Sequence, residues 1–129
     1  MSSASRLSQS APLGRRAFGG FVAAAFVGVL AACAQKKPAA VPSVSGVTAA
    51  VTVAVIDNKF EPTVVEIKPG QAVRWVFAGV MEHDVVAADG SFVSELQTEG
   101  EYVHVFDQAG EYPYDCSVHP EMTGVVTVR

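Results

Sequence analysis

Leucine is scarce in this chain, and from Val47 onward no helical stretch of any length is apparent and positive charge is nearly absent. Each shortage excludes something. With little leucine and abundant valine, the composition favours strands, because β-branched side chains suit a pleated, half-buried surface. All thirteen acidic residues lie from Asp57 onward. From Val47 to the end only Lys59, Lys68, Arg74 and Arg129 oppose them, for a net charge of −9. That balance argues against a nucleic-acid partner, since phosphates demand a basic face. A charged protein partner is expected to be cationic. Cysteine is scarce too, with only Cys33 and Cys116 present. The 129 residues suffice for one small domain and accessory segments.

What the first third does contain is an address. Residues 1–16 are polar, carry Arg6, Arg15 and Arg16, and include no acid. They run into "AFGGFVAAAFVGVLAAC", a weakly apolar stretch ending at Cys33. A basic n-region, an apolar h-region and small residues read as a secretory signal. "RRAF", with Arg15, Arg16 and Phe18, resembles the twin-arginine export motif, although glycines at 14, 19 and 20 weaken the match. "LAAC" resembles the lipobox of bacterial lipoproteins, in which the cysteine is acylated and becomes the mature N-terminus. An uncleaved transmembrane helix is the rival reading. The run approaches the roughly 17–18 residues needed to span a bilayer, but its glycines make it a poor anchor. Either reading places the remainder outside the cytoplasm, at a membrane surface.

Residues 34–46, "AQKKPAAVPSVSG", are rich in Pro, Ala and Ser and lack apolar periodicity. They read as a flexible linker with a reach of roughly 20 Å. The expected organisation is therefore a signal peptide over 1–33, a linker over 34–46 and a folded domain over 47–129. Two cysteines in an exported protein would ordinarily form a disulfide. With Cys33 lipidated, Cys116 has no intramolecular partner, and a free thiol in an oxidising compartment is a liability unless something occupies it. A metal would.

From Val47 the pattern has period two. "VTVAV" sets Val51, Val53 and Val55 on one face, and "VRWVF" does the same for Val73, Trp75 and Phe77. "TVVEI", "HDVVA", "YVHVF" and "GVVTV" read as further strands, separated by turn signals at 61–62, 68–71, 89–90, 99–100 and 108–111. Short, closely spaced strands predict an all-β Greek-key sandwich or barrel. Its aromatic packing is expected from Phe60, Trp75, Phe77, Phe92 and Phe106.

Cys116, His119 and Met122 fall three residues apart in "DCSVHPEM". A thiolate and an imidazole are strong ligands for copper or zinc, and a thioether is soft and favours copper. His83, in "MEHDVV" upstream, completes a trigonal set of two nitrogens and a sulfur, with Met122 as a long axial ligand. That is the blue-copper arrangement. Zinc is the chemical rival, though structural zinc sites seldom recruit methionine. His104 and Met81 are the spare donors. His104 alternates with Tyr102 and Phe106 and reads more simply as a strand residue. Taken singly, each ligand has a bland reading as a surface histidine, core filler or a small buried hydrophobe.

"AGEYPYDCSVHPEMTGVVTV" resembles the C-terminal signature of the cupredoxins, specifically the amicyanin/plastocyanin group. A Gly-x-Tyr-x-Tyr-x-Cys strand leads there into Cys-x2-His-x2-Met and a final Gly-Val-rich strand. "FEPTVVEIKPGQAVRWVF" matches the family's upstream pattern. The resemblance implies one type 1 copper ion held by His83, Cys116, His119 and Met122 and single-electron transfer through His119. With no substrate pocket, nucleophile–base pair or water-activating open metal position evident in the sequence, a non-enzymatic role is expected. The sequence departs from the family at Asp84, where an asparagine usually braces the ligand loop, and at Val118, where a proline is frequent. Glu82 and Glu121 flank two ligands where relatives tend to be apolar, which favours Cu(II) and a low potential unless both are screened by water. Asp84 and Ser117 are candidates for tuning the cysteine sulfur. The implied protein is a membrane-anchored or periplasmic monomer that meets redox proteins through a basic docking surface on the partner. Copper storage or delivery is the alternative use of the same ligands, and a metal-free adhesion or assembly module is the other.

Overall fold

The computed structural model describes residues 36–129. The export motif at Arg15, Arg16 and Phe18, and the lipidation candidate Cys33, lie outside the described residues. Eight strands follow in order: β1 (Val51–Ile56), β2 (Lys59–Glu61), β3 (Val64–Ile67), β4 (Gln71–Phe77), β5 (Val86–Ala87), β6 (Gly100–Phe106), β7 (Gly110–Cys116) and β8 (His119–Val128). Among the described residues there is no helix.

The strands form two four-stranded sheets, β2-β1-β4-β6 and β3-β8-β7-β5. β1 pairs with β4 in parallel and β3 with β8 in parallel, so the chain crosses repeatedly between sheets. This is the all-β sandwich that the period-two pattern predicts. Alternation also decides which side chains are inward. Val53 and Val55 of β1, and Val73, Trp75 and Phe77 of β4, are all buried. Burying each such side chain contributes about 1.5–3 kcal/mol. Trp75 is the centre of the core. It stacks on Phe92 at 5.3 Å between ring centroids and meets Tyr114 edge-on at 5.5 Å.

Two local features differ from the strand pattern read in the sequence. A hairpin joins β1 to the short β2 through Asp57 and Asn58, with Asn58 at a φ of 68°. Asparagine tolerates that left-handed conformation, and it takes the place of a glycine signal. "HDVVA" supplies only two residues of sheet. His83 instead pairs with Gln97 in an isolated bridge, and Val85 exchanges hydrogen bonds with Ser94, so this backbone is used before β5 begins.

The segment expected as a flexible linker lies against the domain between Lys37 and Val44. Val41 N–H donates to the Val93 carbonyl at 2.8 Å, and Val44 N–H to the Val103 carbonyl at 2.9 Å. Ser43 Oγ accepts from Val103 N–H at 2.9 Å. β6 is an edge strand whose outward N–H and C=O groups need partners, and this segment provides them. Composition could not reveal it, because the bonds are mostly backbone.

Candidate metal centre

β7 and β8 run antiparallel, with Tyr114 opposite Gly124 and Asp115 opposite Thr123. The register then shifts, and Cys116 pairs with His119 across a turn made by Ser117 and Val118. The tight turn carries a thiol at one end and an imidazole at the other. Gly124 is needed for this close pairing, since a Cβ there would collide with the Tyr114 ring. His83 enters from the connection between β4 and β5 and is 1% exposed.

The three donors converge. Cys116 Sγ lies 3.8 Å from His83 Nδ1 and 3.7 Å from His119 Nδ1. All three donor atoms fall within 4.8 Å of one another. Such separations suit a single ion bonded at about 2.0–2.3 Å to nitrogen and sulfur. Met122, three residues along β8, is 1% exposed and belongs to the same core cluster as Cys116. Cys116 and Met122 are thus sealed from water, while His119 is partly exposed. Burial pushes the Cys116 thiol up from its ordinary value, with Asp84 nearby adding to it and backbone hydrogen bonds opposing it. The metal-free thiol is therefore protonated at neutral pH, and a bound cation has to displace that proton.

Behind His83 stands a residue that the sequence did not single out. Asp57 Oδ1 lies 3.1 Å from His83 Nε2. The same carboxylate accepts from Val80 N–H at 3.1 and 3.2 Å and from Met81 N–H at 3.2 Å. Its hydrogen bond with His83, helped by those two amides, holds Asp57 below the usual carboxylate range. An Nε2–H donated to Asp57 leaves Nδ1 free to face a cation, which is how a carboxylate behind a ligating histidine fixes its tautomer. Gly79 makes the approach possible: a Cβ there would overlap Asp57 Oδ1 and crowd His83 Nε2. No local motif marks Asp57, which lies 26 residues from His83.

Asp84 and Ser117 do meet. Asp84 Oδ1 accepts from Ser117 N–H at 2.7 Å and Oδ2 from Ser117 Oγ–H at 2.6 Å. Lys37 Nζ, from the segment preceding the domain, lies 2.7 Å from the same Oδ2. Asp84 has no exposed side-chain surface. Burial pushes its carboxyl up, but the bonds from Lys37 and Ser117 outweigh that and leave it below its ordinary value.

Glu82 and Glu121 are exposed, and neither hydrogen-bonds a ligand side chain. The carboxylates in contact with the site are Asp57 and Asp84. His104 is outside the converging group and is packed between Phe92 and Phe106 at 5.3 and 4.8 Å. Met81 is 49% exposed, unlike Met122. Val80 and Val118, each near a ligand in sequence, are also exposed, so apolar surface accompanies the acidic residues there.

Comparisons with known proteins agree with this geometry. Residues 22–128 match the family described as "Cupredoxin-like domain". Amicyanin from Paracoccus versutus is 35% identical over 101 residues, covering 74% of this chain and 75% of the relative. Amicyanin from Paracoccus denitrificans is 32% identical over 120 residues, covering 84% and 89% respectively. The crystal structure of the P. versutus amicyanin superposes with a TM-score of 0.55 at 34% identity, over 73% of this chain and 92% of that one.

Proposed function

The chain belongs to the cupredoxin-like family, and from that premise we propose that it is a type 1 copper protein passing single electrons between redox proteins at the outer face of a bacterial membrane. One observation carries the reading: two imidazole nitrogens and a thiol sulfur converge on one point, and the buried Met122 shares a core cluster with that thiol's residue, Cys116. Copper bound there supplies a one-electron couple. His83, Cys116, His119 and Met122 are its ligands in this reading, and the scaffold holds them still. The two-residue turn fixes Cys116 relative to His119, Asp57 holds His83 in one tautomer, and Asp84 ties Ser117 to the loop that bears His83. Ligands held in place by second contacts do not have to rearrange when the charge of the ion changes.

His119 is the partly exposed donor, and a partner placed against its edge lies one residue from the metal. The net charge of −9 from Val47 onward suits a partner with a basic docking surface. The reading is of a monomeric electron carrier, not an enzyme. Lipidation at Cys33 after export through the Arg15, Arg16 and Phe18 motif would keep it at the membrane.

The test is to titrate the purified full-length chain, in detergent, with Cu(II). An intense visible charge-transfer band with narrow copper hyperfine splitting is expected, and its loss in Cys116→Ser assigns the thiolate. A chain that stays colourless refutes the copper reading. Storage or delivery would show instead as rapid loss of copper to a chelator with poor electron exchange.

A further inference from the structure

Family resemblance explains the four donors but not why a fully buried carboxylate, Asp84, stands beside the cysteine loop where an amide is usual. An unpaired buried carboxylate is costly, and removing one partner of a buried pair is far more damaging than replacing both. Asp84 has a partner, and it comes from outside the strands. Lys37 Nζ lies 2.7 Å from Asp84 Oδ2 and donates to the Ser94 carbonyl at 2.8 Å. Ser94 is itself buried and bonded through its backbone and hydroxyl to Val85, the residue after Asp84. The segment carrying Lys37 is held on the domain by Val41, Ser43 and Val44. Lys37 is only 28% exposed, whereas its neighbour Lys36 is exposed.

We infer that Lys37 is a positioning residue for the metal-ligand loop: from the segment between the export address and the domain, it supplies the counter-charge that lets Asp84 hold Ser117 behind Cys116. The strands alone do not complete the site. Lys37 touches no ligand, and it acts through Asp84. The part of this inference that concerns copper rests on the function proposed above, while the part that concerns the loop does not.

The experiment uses the full-length chain and the variants Lys37→Met, Lys36→Met, Asp84→Asn and Lys37→Met/Asp84→Asn. In the metal-free protein, hydrogen exchange at the Ser117 amide is expected to quicken about tenfold or more in Lys37→Met, because its acceptor is no longer held. It should stay within about twofold of the parent in Lys36→Met, and within about twofold of Asp84→Asn in the double variant. In the copper-loaded protein, Lys37→Met should move the reduction potential downward by more than Lys36→Met does, since losing a nearby cation favours the higher oxidation state. Equal effects of the two lysine substitutions would overturn the inference, as would an unchanged Ser117 amide. Should Lys37→Met fail to fold, recovery in the double variant supports the pairing, and failure of both overturns it. A parent chain that binds no copper leaves the exchange result standing and refutes only the function.

Discussion

Replacing Met122 separates packing from the ligation proposed for it, since the proposed function asks this buried side chain to do both. It is 1% exposed and clustered with Trp75, Tyr114 and Cys116. Met122→Ala leaves a cavity, and truncating a buried methionine costs about 2–5 kcal/mol. A domain of this size has a total stability on the order of 5–15 kcal/mol. At roughly 4–8 °C per kcal/mol, a loss of ~3 kcal/mol lowers the metal-free unfolding midpoint by about 12–24 °C. Met122→Leu keeps the volume and costs less than about 1.5 kcal/mol. It removes the thioether as completely as alanine does. Calorimetry of the metal-free chains should therefore show a large drop for alanine and a small one for leucine. Spectroscopy and voltammetry of the copper-loaded chains should show both altered, with the potential raised because one donor to the higher charge is gone. A leucine variant with unchanged band and potential would refute ligation by Met122. An alanine variant as stable as the leucine one would refute the packing account.

Asp57→Asn removes the charge behind His83, and Gly79→Ala puts a methyl group where Asp57 now sits. Both should weaken copper binding about 10–100-fold in competition titrations, the usual cost of losing a ligand's outer partner; unchanged affinity in both would count against the Asp57–His83 bond. Changing Glu82 and Glu121 together to Gln should raise the potential only slightly, because both are exposed, while flattening the ionic-strength dependence of electron transfer to a cationic partner. A large rise in potential with no change in salt dependence would contradict that placement. Burial lowers the pKa of His104 from its ordinary 6.5, against weaker attraction from Asp107 and Asp89. Just below that value the unfolded chain binds more protons than the folded one, so this contribution is complete above pH 6.5 and is lost as pH falls through the lowered folded value. His104→Gln should reduce the slope of stability against pH in that window and leave the copper spectrum alone.

The strands were legible where alternation was clean. Val51 to Val55 and Val73 to Phe77 declare an inward face by themselves, because one buried side of a sheet requires period two. Asp57–Asn58 was not legible as a turn, since asparagine can reach positive φ without the glycine that usually signals it. "HDVVA" looked like a strand because its composition suits one, yet Asp84 and Val85 spend their groups on Ser117 and Ser94. The fit of Lys37 to Asp84 was invisible in a segment whose composition reads as a linker. Nothing local in "QKKPAA" distinguishes the half-buried Lys37 from the exposed Lys36.

By itself the sequence determined an all-β domain and a cluster of three donors of the right chemistry. Both depend on short-range facts: side-chain alternation along a strand, and the spacing of Cys116, His119 and Met122 around one turn. Tertiary structure alone decided that His83 reaches Cys116, that both histidines face it with Nδ1, and that Asp57 and Lys37 stand behind the site. Those are contacts between residues 26, 33 and 47 positions apart. Only the closing of two sheets over one core brings such residues within hydrogen-bond distance, and no local pattern encodes which distant partner arrives.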